Sequence, residues 1–150
     1  MRIFTSILEK KIRLIYHNKI LIYSTFMQIS NPSVEVAIAN CCNSLEEKKA
    51  SSIELIDLRG KSSITDFYVL ATGNSTPHLK ALMDSAEKSI VSDLQIRIRS
   101  QKDASSGWMV LDGFDFMVHL FTEELRLFYG LEKLWNDAKR IDWRTIKSWI

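Results

Sequence analysis

Glycine and proline are scarce in this 150-residue chain, five and two residues respectively, which excludes collagen-like and linker-like compositions. No repeat of about 20 to 50 residues is visible, so solenoids and propellers are excluded as well. No uninterrupted apolar run reaches the ~18 residues of a membrane span. The only cysteines, Cys41 and Cys42, are neighbours. A disulfide between them would strain the intervening peptide, and metal sites use spaced thiolates, so the pair points to a reduced intracellular chain. An excess of one charge is also missing: the formal net charge is +2. Without a clustered basic face, sequence-specific nucleic-acid binding is not expected.

What is present is 46% hydrophobic and 25% charged residues, the balance of one compact domain whose core needs neither disulfide nor structural metal. The charge is uneven. Residues 1–26 carry Arg2, Lys10, Lys11, Arg13 and Lys19 against Glu9, whereas the remainder is slightly acidic. This basic N-terminal extension reads as an amphipathic surface helix, a targeting segment, or residues upstream of a start at Met27.

Asn31 and Pro32 supply an N-cap and a first-turn proline, and Val34, Ala37, Ile38, Cys41 and Leu45 recur at helical spacing up to Lys49. Cys41 falls on the buried stripe and reads as a small core hydrophobe. Ile53 to Arg59 suits a strand, and Gly60 to Asp66 a loop. Phe67 to Thr72 is a continuous apolar run suited to a central strand. Gly73 and Asn74 turn the chain, Ser75 or Thr76 caps, and Pro77 opens a helix lined by Leu79, Leu82, Met83, Ala86 and Ile90. Leu94, Ile96 and Ile98 alternate with Gln95, Arg97 and Arg99 as a half-exposed strand would, and Ser100 to Gly107 reads as a polar loop. Trp108 to Asp112 and Phe114 to Phe121 form a hairpin around Gly113. Thr122 caps a helix with Glu123 and Glu124 in its first turn, Gly130 interrupts or ends it, and Leu131, Leu134, Trp135 and Ala138 carry a second helical stripe. The expected core includes Leu55, Val69, Leu70, Leu82, Ile96, Val110, Val118 and Leu120.

The strong catalytic motifs are missing: there is no Walker loop, dinucleotide fingerprint, zinc-protease helix or spaced cysteine pair. Gly73, Asn74 and Ser75 resemble the Gly-Ser turn of a nucleotidyltransferase, but Asp112 and Asp115 flank a turn instead of sharing a strand face for magnesium. His119 inside its strand reads as a hydrogen-bonded core or edge residue. Ser63, Thr65 and Asp66 are what a loop uses to satisfy its own backbone, and His78 is a helix-start residue that makes a contact or meets an anion. The remaining cluster is aromatic and acidic: Trp108, Asp112, Asp115, Glu123, Glu124, Phe128, Tyr129 and Glu132. It suits a protein partner with a basic face; alternatively, Phe128 and Trp135 are core and the acids merely solvated.

Gly60-Lys61-Ser62-Ser63-Ile64-Thr65-Asp66, then Thr72-Gly73-Asn74-Ser75 with His78, then Trp108 with Asp112, Asp115, Val118 and His119, then Arg126, Tyr129, Leu131-Glu132 and Leu134-Trp135, together resemble the ribosomal silencing factor family, also called Iojap. The likeness runs from about residue 32 to residue 138. It implies a single α/β domain over residues 27–139, with a five-stranded mixed sheet and flanking helices, nucleotidyltransferase-like but without the catalytic carboxylates. Residues 140–150 would be a C-terminal tail. The resemblance also implies a protein that binds ribosomal protein fourteen of the large subunit and blocks joining of the small one, repressing translation without catalysis or cofactor. It implies a homodimer, and a cytoplasmic bacterial location, or an organellar one if residues 1–26 are a targeting segment. Partner contacts would come from Trp108, Asp112, Asp115, Glu123, Glu124, Arg126, Tyr129 and Glu132, with Ser63, Thr65, Asp66 and His78 in the motif loops. A divergent nucleotidyltransferase-like enzyme and a large-subunit assembly factor are the competing readings. The chain departs from the family pattern at Gln101 and Lys102 in place of Glu-Gly, at Pro77 before the histidine, and at Asp112-Gly113-Phe114-Asp115 in place of Asp-x-Gly-Asp.

Overall fold

The structure, a computed structural model, describes residues 33–94 and 98–149. Chain order is α1 (Val34–Glu47), β1 (Ser51–Asp57), β2 (Phe67–Thr72), α2 (Thr76–Leu94), β3 (Arg99–Gln101), β4 (Trp108–Asp112), β5 (Phe116–Phe121), α3 (Glu123–Tyr129), α4 (Leu131–Leu134) and β6 (Lys139–Ile141), with 3-10 turns at Ala104–Ser106 and Trp143–Trp149. The strands form one mixed sheet ordered β3-β4-β5-β2-β1-β6. Only β2 and β5 run parallel, from Phe67 opposite Phe116 to Thr72 opposite Phe121. The long crossover between them includes α2, as parallel neighbours require.

Period-two alternation sorts the strands onto two faces. Leu55, Phe67, Val69, Ala71, Met109, Leu111, Phe116, Val118 and Leu120 face α1 and α2 and join one buried cluster with Ile38, Cys41, Leu45, Leu79, Leu82, Met83 and Ile90. Ile56, Leu58, Leu70 and Phe121 form a smaller cluster on the other face, packed by Tyr68, Trp108, Leu125, Leu131 and Trp135. Pro77 at the first turn of α2 lacks a hydrogen that would be orphaned there anyway, and the Ser75 hydroxyl accepts the His78 amide at 3.3 Å. Both cysteines are buried and free; desolvation pushes the Cys41 thiol up to about 12, which leaves it unreactive.

The expected α/β class is the observed one, and several local expectations are corrected. The helical stripe of Ile90 continues to Leu94, so Leu94 ends α2 instead of opening a strand; β3 begins at Arg99 and takes Ser100 and Gln101 from the expected loop. Ile96 and the Asn31-Pro32 cap lie outside the described residues. Val110 is only half-buried because it shares the less covered face with Trp108. Gly130, at φ +56 where a side chain would be strained, ends α3 with its amide on the Arg126 carbonyl at 2.9 Å. The second helical stripe shrinks to four residues, and Trp135 and Ala138 pack from the segment that follows. The expected tail is part of the domain: Lys139–Ile141 adds a sixth strand against β1, and Trp143 and Ile146 are buried in the main cluster.

Candidate functional site

On the face away from α1 and α2, aromatic rings gather where β4 begins and β5 ends. Trp108 stacks on Phe121 at 5.1 Å between centroids and lies 4.6 Å from Tyr129. The Trp108 indole N–H can only donate, and it reaches His119 Nδ1 at 3.3 Å, so the neutral imidazole carries its proton on Nε2. Tyr68 meets the same imidazole edge-on at 4.5 Å. Burial lowers the His119 pKa to about 4, which keeps the ring neutral at pH 7 and excludes a role as a cationic contact. The sequence reading of His119 as a hydrogen-bonded core residue therefore holds.

Thr122 opens α3 with its hydroxyl accepting the Leu125 amide, and Glu123 and Glu124 in the first turn suit the positive end of that helix. Leu125 points inward. The following residues do not: Leu127, Phe128, Tyr129 and Leu134 are exposed, Phe128 by 77%. The alternative of a core Phe128 is thereby overturned, and Leu127 and Leu134 join the site unannounced by the sequence. The signal for Leu127 is the run Leu-Arg-Leu-Phe-Tyr, with more apolar positions than one buried stripe of a seven-residue helix can absorb.

Arg126 holds this surface in place instead of belonging to it. It is buried, and its guanidinium donates to Glu132 Oε1 at 2.5 Å on α4, to the Ser52 carbonyl at 2.5 Å and Thr72 Oγ1 at 3.0 Å on the sheet, with Glu54 at 3.5 Å. Ser52 presents that carbonyl from a β-bulge at φ +50. Arg140 on β6 completes the frame, reaching Glu54 at 3.5 Å and the Glu132 carbonyl at 2.9 Å. The expectation of Arg126 as a partner contact is corrected accordingly: its guanidinium is buried and turned toward Glu132, whose carboxylate stays part-exposed. A hollow of about 550 Å³ opens beside them, lined by Ser51, Ser52, Glu54, Thr72 and Lys133 among others.

The other expected site residues lie elsewhere. Asp112 and Asp115 sit at the far end of the β4–β5 hairpin from Trp108. Asp112 Oδ1 accepts the Phe114 amide at 2.9 Å. Beside them, Thr65 is buried with its hydroxyl on the Phe114 carbonyl at 3.3 Å, while Ser63 and Asp66 are exposed. His78 ties two helices together, Nε2 on the Lys48 carbonyl at 2.7 Å and Nδ1 accepting the Asn74 amide at 3.1 Å, so the anion-contact reading gives way to a structural strap. Among the described residues no three His, Cys, Asp or Glu side chains are grouped to hold a metal, and no helix is long and apolar enough to cross a membrane.

Comparison with known proteins agrees with this architecture. The family model described as "Ribosomal silencing factor during starvation" matches residues 31–149. Ribosomal silencing factor RsfS of Halalkalibacterium halodurans is 32% identical over 101 residues, 67% of this chain and 86% of that protein. A mouse protein named "Mitochondrial assembly of ribosomal large subunit protein 1" is 33% identical over 97 residues, 61% of this chain and 42% of its own length. A crystal structure from Chromobacterium violaceum superposes with a TM-score of 0.65 at 25% identity, covering 70% of this chain and 88% of that one.

Proposed function

The chain belongs to the ribosomal silencing factor family, and from that premise we propose that it represses translation by seating the α3 surface on ribosomal protein fourteen of the large subunit, where its bulk blocks joining of the small subunit. The activity is binding, not turnover, and needs no cofactor. One observation carries the reading: Leu127, Phe128 and Tyr129 stand exposed on a helix that Arg126 pins to the sheet, beside Trp108 and behind the carboxylates of Glu123 and Glu124. Rigid aromatic anchors with an acidic rim suit a basic ribosomal protein, since anchors supply affinity and complementary charge supplies encounter rate.

Binding of variants to purified large subunits, and inhibition of subunit joining by sedimentation, tests this. Trp108→Ala should lose roughly 2 kcal/mol or more of binding. Glu123→Lys with Glu124→Lys should mainly slow association and alter its salt dependence. Wild-type binding by all of them would move the interface elsewhere, and a wild-type chain that never binds large subunits would remove the reading. The name of the mouse relative favours a second role in assembling the large subunit; depletion would then lower the amount of mature large subunits, whereas a pure silencer leaves it unchanged. A homodimer belongs to the same reading, because exposed apolar surface left by a small sheet favours pairing. Sedimentation at micromolar concentration should give twice the 17.3 kDa of one chain.

A further inference from the structure

We propose a second docking surface at the opposite end of β5, formed by the turn 113–115 and the loop 62–66, which takes a protein segment bearing an apolar side chain beside lysine or arginine. It rests on the ribosomal reading, since the segment is sought on the large subunit. Six residues of β5 at ~3.3 Å each put this surface nearly 20 Å from α3, a patch apart from the aromatic one.

Phe114 is the central observation. It adopts φ +69, a left-handed conformation strained for any residue with a Cβ and worst for bulky ones. Packing does not offset the strain, because Phe114 remains 58% exposed. The conformation is nonetheless held from several sides. Asp112 Oδ1 accepts the Phe114 amide, the Thr65 hydroxyl donates to its carbonyl, and the amides of Asp66 and Phe67 both donate to the Asp115 carbonyl at 2.9 and 3.1 Å. These bonds also bring the loop of Ile64, itself 76% exposed, alongside the turn.

The surrounding charge identifies the occupant. Asp66 and Asp115 are exposed, and neither forms an ion pair among the described residues. The cations of the same loop are engaged: Arg59 with Asp57 at 2.6 Å and Glu35 at 3.9 Å, Lys61 with Asp137 at 2.6 Å. Asp112 is set aside because its carboxylate already accepts the Phe114 amide. Asp115, with Asp66 whose charge is only partly offset by an Arg59 already paired with Asp57 and Glu35, sets exposed carboxylates beside two exposed apolar side chains, a surface that attracts a basic, partly apolar polypeptide and repels a phosphate backbone. The occupant is therefore a protein segment of the large subunit, not its RNA.

Phe114→Gly separates recognition from structure, because glycine accepts a positive φ. The full-length variant should melt a few degrees higher than wild type while binding large subunits about tenfold more weakly, and Ile64→Ser should add to that loss at unchanged melting temperature. A benzophenone side chain placed at position 64 should crosslink to a lysine- or arginine-rich stretch of a large-subunit protein. Unchanged affinity of Phe114→Gly, a lower melting temperature, or crosslinking to RNA would each overturn the proposal. If Trp108→Ala loses binding and Phe114→Gly does not, the ribosomal reading stands and this surface falls. A wild-type chain that does not bind fails the ribosomal reading first, and this contact with it.

Discussion

On one face of the sheet Leu55, Val69, Val118 and Leu120 are sealed under α1 and α2; on the other, among the described residues, Tyr68, Trp108 and His119 meet a seven-residue helix, a four-residue helix and the segment after them. Strand alternation serves both faces alike. The difference comes from what the chain places over them. Long amphipathic helices give a dry aliphatic core on the first face. On the second, the short helices are held by polar bonds from Arg126 and Arg140, and the same helices turn apolar side chains outward. Stability resides mainly on the first face, and the proposed recognition surface lies on the second.

The sharpest test of that division is a cavity on the helix side. Leu82 has no exposed surface, so Leu82→Ala should cost about 3–5 kcal/mol of unfolding free energy, from lost transfer energy and the cavity left behind. Denaturant unfolding measures it. Binding to large subunits per folded molecule should stay at the wild-type level, and a matching loss of affinity would break the comparison.

The helix side was the more legible one in the sequence, and the reason is physical. Repeating spacings such as Leu79, Leu82, Met83, Ala86 and Ile90 record a single buried stripe, and burial of one stripe is what periodicity reports. Leu94 reads either way because it satisfies both the helical stripe and the two-residue alternation with Ile98. On the other side, periodicity fails. Leu127, Phe128 and Tyr129 are apolar, so composition alone suggests a core, and only the shortness of α3 and the position of the sheet decide that they face outward. The charged residues were ambiguous for a related reason: Arg126 and Glu123 are three apart, but one reaches under the helix to Thr72 and the other remains exposed. Asp112 and Trp108 lie on the same side of β4 yet at opposite ends of it, so nearness in sequence suggested a single cluster that the hairpin divides. Trp143 and Ile146 enter the main core from what read as a tail, since two apolar residues three apart are too few to declare a stripe.

The second face makes its own contribution to stability, and pH sharpens its size. His119 has its pKa lowered by desolvation from 6.5 to about 4. The unfolded chain thus binds a proton that the folded one refuses between those values. Stability is complete above pH 6.5, falls as the pH drops through this window, and levels below about 4. At about 1.4 kcal/mol per unit, the loss is at most roughly 3–4 kcal/mol. Melting temperatures of wild type and His119→Phe between pH 4.5 and 7.5 should show a shallower acid slope in the variant. Parallel curves would mean that the imidazole beside Trp108 is hydrated, and that this face is wetter than its packing implies.

The smallest expected stability effect is the most diagnostic for recognition. Phe128 is 77% exposed, and among the described residues its ring meets that of Tyr129 alone, edge-on at 5.2 Å. Removing it opens no cavity, so Phe128→Ser should change unfolding free energy by no more than about 0.5 kcal/mol. An apolar anchor that enters a partner's pocket behaves oppositely in the complex, where its loss costs about tenfold or more in affinity. Fluorescence-monitored unfolding and large-subunit binding, measured on the same preparation, compare the two quantities directly. A variant that is as stable as wild type and binds poorly places recognition on α3, whereas one that binds normally leaves Phe128 an ordinary exposed ring and moves the contact toward Trp108 and the sheet.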